Sequence, residues 1–192
     1  WARHPLVNNI VRYSYTLRVG PGEYDKVRLH RVVKEIKPYR PIRTRKAVFA
    51  LHGVPGNFNQ WFLVGAVGPS GPPNHGMAIY LAENDVDVWG IDQAYYLVPP
   101  ETTDFSFMAN WGIQFDVDNL RTGMAVARKT RQFTGNGCGQ MTLIGLGHNG
   151  GGVTGYAALN HETQLPRHSR HIGAFIPIAG IFKTDNRDWR DY

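Results

Sequence analysis

The sequence contains a single cysteine, Cys138, among its 192 residues. One thiol excludes an internal disulfide and a zinc site built on several thiolates, and it leaves the redox compartment open. A secreted or periplasmic location would follow only if Trp1 is a processed N-terminus. Charged residues make up 19% of the chain and hydrophobic residues 42%, which is typical of a folded globular protein and excludes a disordered or collagen-like one.

Long hydrophobic runs are also missing. The longest apolar-rich stretch, from His171 to Phe182, spans about a dozen residues and is interrupted by Pro177, whereas a membrane-spanning helix needs about twenty apolar residues. We therefore expect no transmembrane span.

Positive charge is concentrated in one segment of the chain. Between Lys26 and Lys46 there are nine Lys or Arg residues and one acid, Glu35. Polar residues alternate with apolar ones around Arg28 and His30, which favours a half-buried strand with one solvated face. No aromatic stacking platform or nucleic-acid-binding motif accompanies the segment, so nucleic acid is not an expected partner. A functional basic patch for an acidic partner remains the alternative.

Apolar patterning alternates between strands and helices. Residues 13–19 and 26–33 predict an antiparallel hairpin around Gly20-Pro21-Gly22. Four continuous apolar runs predict buried strands of a parallel sheet, and three segments between them predict helices. The strands cover 47–51, 86–91, 141–144 and 172–178, and the helices cover 77–83, 117–133 and 153–160. This order predicts an α/β fold with right-handed crossovers, and the Gly- and Pro-rich residues 65–76 predict a surface loop.

Three of the buried strands are followed by informative segments. His52-Gly53-Val54-Pro55-Gly56 follows the first, Asp92-Gln93 ends the second, and Gly147-His148-Asn149-Gly150-Gly151 follows the third. In an α/β sheet, functional residues gather at the carboxyl ends of the parallel strands. A sharp turn from strand to helix needs small residues, and the N–H groups of the following helix can stabilise a developing oxyanion.

The order and spacing of these segments resemble those of the α/β-hydrolase family over nearly the whole chain. The turn after residue 51 resembles the oxyanion loop of that family, residues 87–92 resemble its fourth strand, and the turn around Asn149 resembles its nucleophile elbow. The resemblance implies a mostly parallel sheet flanked by helices, with an antiparallel hairpin at the N-terminus. It also implies a lineage that hydrolyses esters or related small substrates such as epoxides, with no cofactor and no metal.

The resemblance implies roles for three residues at this turn. The backbone N–H groups of Val54 and Gly150 would bind the oxyanion, and Asn149 would occupy the nucleophile position. The family has Ser, Asp or Cys at that position, and an amide is not basic enough to open a covalent route. Three explanations remain open: an enzyme inactivated by substitution, a natural noncatalytic relative, or an incorrectly assigned residue.

The candidate substrate-binding residues are His52, Gly53 and His148. We expect His52 to order its loop by hydrogen bonding, and His148 either to line the site or to pack on a neighbouring strand. Asp185 follows the sixth predicted strand, where some members of the resembled family carry the catalytic acid, and it is the candidate acid.

The resembled family has eight core strands, and its catalytic His follows the eighth. We therefore expect residues 1–192 to form a single incomplete α/β-hydrolase-like domain, whose sheet is completed by a missing C-terminal segment or by a second chain. Two functions are compatible with the sequence. One is hydrolysis of a small-molecule substrate, if the complete chain carries a functional nucleophile, acid and His. The other is a noncatalytic binding or assembly subunit.

Residues 145–150 also match the Gly-x-Gly-x-x-Gly fingerprint of dinucleotide-binding proteins. That fingerprint normally opens its domain and needs an acid at the end of the next strand, roughly 20 residues further on. Here the next predicted strand ends at Ile178-Ala179-Gly180 without an acid. Dinucleotide binding is therefore disfavoured.

Overall fold

The computed structural model describes residues 1–67, 71–72, 74–137 and 139–180. The strands are β1 (Ala2–Val7), β2 (Ile10–Arg18), β3 (Lys26–Lys37), β4 (Arg40–Pro41), β5 (Ala47–Leu51), β6 (Asp87–Asp92), β7 (Met141–Leu146) and β8 (Ile172–Ile178). The α-helices are α1 (Phe58–Phe62), α2 (Val64–Val67), α3 (Met77–Glu83), α4 (Ile113–Phe133) and α5 (Gly155–Thr163). A π-helix (Gly147–Thr154) precedes α5, and short 3₁₀ turns lie at Ala94–Leu97, Ser106–Met108 and Arg167–Ser169.

All of these strands belong to one sheet with the order β1-β2-β3-β6-β5-β7-β8, and β4 pairs with β3. The pairs β1–β2, β2–β3 and β3–β6 are antiparallel, whereas β5–β6, β5–β7 and β7–β8 are parallel. This mixed sheet confirms the predicted α/β fold with its antiparallel N-terminal hairpin. Strand β1 was not expected, because Pro5 and the polar residues around it give no apolar alternation.

Helices cover both faces of the sheet. Side chains of β5 alternate between the faces, so Phe49 and Leu51 pack with α4 while Ala50 packs with α1 and α3. From α4, the buried side chains on the first face are those of Val117, Leu120, Met124 and Ala127. On the opposite face they are those of Phe58, Phe62, Ala78, Ile79 and Ala82. With both faces covered, the carboxyl-terminal edge of the parallel strands is left to carry the site.

Several element boundaries differ from the sequence predictions. Strand β2 begins at Ile10, β3 ends at Lys37, β6 spans Asp87–Asp92 and β7 ends at Leu146. Helix α4 begins at Ile113 instead of residue 117, and α5 begins at Gly155 after a π-helical turn instead of at residue 153. Helix α2 overlaps the start of the predicted loop 65–76. Residues 68–70 and 73 of that loop lie outside the described residues. The differences at α2 and at the start of α5 lie in glycine-rich stretches, where apolar periodicity gives no boundary.

The prediction that β3 has one solvated face is wrong. His30 and Arg31 are 1% and 5% exposed, and the strand is buried from residue 29 to residue 33. The reason is tertiary: His30, on the face predicted to be solvated, stacks on the ring of Phe58, and its Nε2 lies 2.9 Å from Asp92 Oδ2. On the other face, both Arg31 and Arg131 of α4 donate to the carboxylate of Asp87, which is itself fully buried at the start of β6. A positively charged side chain tolerates burial when an anion is paired with it.

The prediction that residues 172–178 form a strand buried on both faces is also wrong. Strand β8 lies at the edge of the described sheet, and most of its residues are exposed or half-buried. Ile176, for example, is 49% exposed. A continuous apolar run predicts burial only where neighbouring elements cover it, and in the described residues β7 is the sole strand that pairs with β8.

Candidate active site

Two loops meet at the carboxyl-terminal edge of the parallel strands. The first follows β5 and runs from His52 to Asn57, and the second follows β7 as the start of the π-helix. The first loop contains a cis peptide bond between Val54 and Pro55 and ends at α1, where the Asn57 side chain accepts a hydrogen bond from Gln60 N at 2.9 Å. Because β5 and β7 are parallel neighbours, both loops leave the sheet at the same edge.

Glycines allow the two loops to approach each other closely. Gly147 has a φ of 87°, a conformation that residues with a Cβ rarely adopt, and a Cβ on it would lie 3.2 Å from the Cα of Gly53. A Cβ at Gly151 would lie 2.2 Å from the carbonyl oxygen of Leu146, which is too close for any side chain. The glycines therefore serve the loop contact as well as the sharp turn that the sequence predicted.

Asn149 joins the two loops through its side-chain amide. Its Oδ1 accepts hydrogen bonds from Val54 N at 3.1 Å and from Gly150 N at 2.8 Å. Its Nδ2 donates to Val54 O at 2.7 Å. Two backbone N–H groups from different loops thus converge on one oxygen atom, and that atom belongs to the protein itself.

His52 is packed beneath this contact, with 1% of its surface exposed. Its Nδ1 lies 3.0 Å from Gly53 O, and its Nε2 accepts a hydrogen bond from Gln93 N at 3.3 Å. Burial lowers the pKa of His52, and this favours the neutral imidazole. The ring therefore orders the loop, as expected, and its burial leaves no face open to a substrate. Gly53 is likewise buried.

Asp92 is a buried carboxylate that holds the neighbouring elements together. Its Oδ1 accepts a hydrogen bond from Phe58 N at 2.7 Å, and its Oδ2 lies 2.9 Å from His30 Nε2. Burial alone would raise the pKa of Asp92, but the hydrogen bonds from His30 and Phe58 N outweigh it and lower the pKa below its ordinary value. This carboxylate fixes the start of α1 against the end of β6.

A second layer of polar groups lies behind His52 and was not predicted. Tyr95 Oη lies 3.4 Å from His52 Nδ1, and Gln93 Nε2 donates to the backbone carbonyl of Asp116 at 3.2 Å. Burial raises the pKa of Asp116 from its ordinary 3.8 to about 6. Asp116 lies immediately before the helix predicted at 117–133, and no sequence pattern singled it out.

The raised pKa of Asp116 makes a prediction about stability. In the folded state the carboxyl keeps its proton to a higher pH than in the unfolded chain, so its contribution to stability is lost as the pH rises from about 4 to about 6. At neutral pH we expect the free energy of unfolding of Asp116→Asn to be about 1 kcal/mol higher than that of the unmodified protein, because a buried negative charge is removed. The gain is limited because the substitution also removes the favourable interaction of the carboxylate with the N-terminus of α4. Urea titrations at several pH values measure this difference.

Asp118→Asn is the matched control, because Asp118 lies two residues further along α4, is exposed and accepts a hydrogen bond from Gln114 Nε2. We expect it to change stability by less than about 0.5 kcal/mol. Equal pH dependence of the Asp116→Asn variant and the unmodified protein would contradict the assignment.

Two predicted site residues fall outside this description. Asp185, the candidate acid, lies outside the described residues, and the structure describes no side chain for His148. Across the described ranges there is no group of three or more His, Cys, Asp and Glu side chains that could hold a metal ion. None of the helices in the described part of the chain has the length and hydropathy needed to span a membrane.

Comparison with solved structures identifies the architecture. A candidate lipase from Sulfolobus solfataricus aligns with 93% of this chain with a TM-score of 0.68 and 23% sequence identity. The chain has the α/β-hydrolase fold. Vibralactone cyclase aligns over 88% of this α/β-hydrolase-fold chain with a TM-score of 0.53 and 13% identity, and a candidate hydrolase from Agrobacterium vitis S4 aligns over 88% with a TM-score of 0.52 and 12% identity.

These alignments cover only part of the matched proteins. The α/β-hydrolase-fold chain spans 48% of the Sulfolobus protein, 42% of the cyclase and 52% of the Agrobacterium protein, so it is about half their length. No protein-family model and no curated protein sequence matches it. At these identities the likeness establishes the fold, and function must be argued from the site.

Proposed function

We propose that this chain belongs to an ester-hydrolysing lineage of the α/β-hydrolase fold, and that a substrate carbonyl oxygen binds where Asn149 Oδ1 lies. The observation that carries the proposal is the convergence of Val54 N and Gly150 N on that oxygen, at 3.1 and 2.8 Å. Two N–H donors at this spacing are what a tetrahedral oxyanion requires. An amide oxygen carries the same kind of partial negative charge and fills the position in its absence.

The names of the structural neighbours support the same chemistry. They include a candidate lipase and a candidate carboxylesterase from Lactobacillus plantarum, which aligns over 92% of this chain with a TM-score of 0.50. In the proposed arrangement, residue 149 is the nucleophile position, and Val54 and Gly150 supply the oxyanion-binding N–H groups. Asp185 remains the proposed acid, and the carboxyl-terminal edge of the sheet would carry a small-molecule substrate.

A noncatalytic binding or assembly role is the second candidate, and one observation favours it. Asn149 satisfies both N–H donors and also donates to Val54 O at 2.7 Å, so the two loops are bridged by the protein's own side chain. A bridged site offers no free donor to a substrate. The exposed edge of β8 would then serve a second chain, as the sequence led us to propose.

An esterase assay separates the two functions. We expect freshly prepared protein with Asn149 to show no turnover of p-nitrophenyl butyrate, because an amide cannot act as the nucleophile. In a chain that includes the C-terminal segment expected to supply the catalytic His, we expect Asn149→Ser to exceed that background by at least about 100-fold, since a hydroxyl beside a general base can form an acyl-enzyme. Release of p-nitrophenolate measures both the initial burst and the steady rate.

Asn136→Ser is the matched control for this assay. It makes the same change at the other Asn-Gly sequence of the chain, away from the two loops, and it should leave the background unchanged. Folding of each variant is checked by its urea midpoint. A folded Asn149→Ser variant that stays at background in the chain that includes this C-terminal segment would favour the noncatalytic role.

A further inference from the structure

Asn149 is followed by Gly150, and the same dipeptide occurs once more in the chain, at Asn136-Gly137. Asn-Gly is chemically labile, because the backbone nitrogen of a residue without a Cβ can approach the side-chain amide carbon of the preceding asparagine. Attack closes a five-membered succinimide ring and expels ammonia. Whether a given Asn-Gly reacts in a folded protein depends on how its amide is held.

At Asn149 the reacting groups are already adjacent. Gly150 N lies 2.8 Å from Asn149 Oδ1, and since a C=O bond is about 1.2 Å long the amide carbon is within about 4 Å of that nitrogen. Both of these residues are at the surface or half-buried, so water reaches them. Val54 N also donates to Oδ1, which polarises the C=O bond and makes its carbon more electrophilic.

At Asn136 the side-chain amide is bound to groups other than Gly137 N. Asn136 is 9% exposed, its Oδ1 accepts a hydrogen bond from Thr44 N at 2.6 Å, and its Nδ2 donates to Thr134 Oγ1 at 3.0 Å. The amide is thus bound to other groups and would have to break both bonds before Gly137 N could attack. The chain therefore contains its own control for the effect of the fold.

We propose that Asn149 deamidates in the folded protein and that this reaction converts the amide at the nucleophile position into a carboxylate. Gly150 N loses its proton to solvent as it bonds to the Asn149 amide carbon. The side-chain amide nitrogen takes up a proton from solvent, its bond to that carbon breaks, and it leaves as ammonia. Water then adds to the succinimide and opens it to aspartate, or to isoaspartate if the other carbonyl is attacked. The net change is one water consumed and one ammonia released, with no oxidant or reductant.

The product would alter the contact between the two loops. A carboxylate oxygen can keep the hydrogen bonds from Val54 N and Gly150 N, but the second oxygen cannot donate to Val54 O and would repel it. The outer oxygen is therefore expected to leave that carbonyl and become available to a substrate. This consequence rests on the proposed function, in which residue 149 is the nucleophile, whereas the deamidation itself does not.

The experiment follows both Asn-Gly sites in one sample. The protein is incubated at mildly alkaline pH in heavy-oxygen water, natively and in concentrated urea, and peptides containing residues 136 and 149 are mapped by mass at intervals. Hydrolysis of the succinimide incorporates the heavy oxygen, which separates it from deamidation before the incubation. Electron-transfer fragmentation distinguishes aspartate from isoaspartate.

In urea we expect similar rates at the two sites, because the dipeptide is the same. In the native protein we expect Asn149 to react at least about tenfold faster than Asn136. Both side-chain amides are hydrogen-bonded, and Asn149 Nδ2 must leave Val54 O, but Asn149 is exposed and its Oδ1 lies 2.8 Å from Gly150 N, whereas Asn136 is only 9% exposed. Native Asn149 that is unchanged, or no faster than Asn136, would overturn the proposal. Formation of isoaspartate alone at 149 would contradict the second part of the proposal, that a side-chain carboxylate replaces the amide at the nucleophile position. In isoaspartate the backbone runs through the former side chain, so the carboxylate is displaced from that position.

Activity is measured separately, on Asn149→Asp, so that the two proposals fail independently. Labelled aspartate at 149 together with an inactive, folded Asn149→Asp variant would uphold deamidation and contradict hydrolysis by a carboxylate at this position. An active Asn149→Asp variant with no native deamidation would do the reverse. If Asn149 deamidates and the Asn149→Asp variant is also active, the esterase turnover of the unmodified protein should increase during incubation in proportion to the amount of labelled aspartate peptide.

Discussion

Replacing Asp87 by Asn should lower the free energy of unfolding by about 3–5 kcal/mol, the largest stability effect that we expect from a single substitution in this chain. Asp87 is fully buried and accepts hydrogen bonds from Arg31 Nε at 2.8 Å, Arg31 Nη2 at 2.9 Å and Arg131 Nη1 at 2.5 Å. Asparagine keeps the shape but removes the negative charge, so two buried guanidinium groups lose their only carboxylate among the described residues. Urea unfolding followed by circular dichroism measures the loss.

Asp85→Asn is the matched control for that substitution. Asp85 also pairs with a positive side chain, that of Lys34 at 2.5 Å, but its own side chain is 60% exposed. Exposed ion pairs contribute about 0–1 kcal/mol because water and salt screen them. Similar losses for the two variants would contradict the claim that burial of the Asp87 cluster is what makes it strong.

The guanidinium of Arg131 also explains why the cluster cannot easily relax. It donates to the backbone carbonyls of Gly137 at 3.2 Å, Thr44 at 3.0 Å and Arg45 at 3.3 Å, and so it joins α4 to the segments before β5 and after α4. Arg31 lies against the ring of Trp89, 5.1 Å from its centroid. Moving either arginine to water would break these contacts as well, which adds to the expected loss.

Replacing Asn149 by Ala should strengthen the binding of a small carboxylate such as butyrate by at least about 30-fold, because two N–H donors are released and each hydrogen bond to a charged acceptor contributes about 1.5–3 kcal/mol. In the unmodified protein, Asn149 Oδ1 occupies both donors. Titration followed by the amide resonances of Val54 and Gly150 measures the affinity and reports whether these two groups are the ones that respond.

Asn149→Asp is the informative comparison for the butyrate experiment. It keeps an oxygen on the same two donors and adds a negative charge, so it should bind butyrate more weakly than Asn149→Ala and no better than the unmodified protein. An Asn149→Ala variant that folds but gains no affinity, or gains it without a response at Val54 and Gly150, would contradict the oxyanion-site proposal.

Much of the fold followed from the sequence by local rules. Strands β5 and β8 and helix α3 have the predicted bounds, because a continuous apolar run or a short amphipathic segment reports on its own backbone. The hairpin β2–β3 followed from period-two alternation around a glycine turn. The glycines on either side of Asn149 also stood out, since sharp turns and close backbone approach leave few other residue choices.

The sequence by itself determined the α/β class and the positions of most strands and helices along the chain, and the family resemblance implied that the loop at residue 54 meets the turn at residue 149. It could not determine that the Asn149 amide fills the two N–H donors, because that contact joins residues 95 positions apart. Nor could it show that Arg31 belongs to a buried cluster, since its partners Asp87 and Arg131 lie on other elements. Patterns of local periodicity encode which face a residue occupies, whereas charge pairing, burial and pKa depend on groups that only the folded chain brings together.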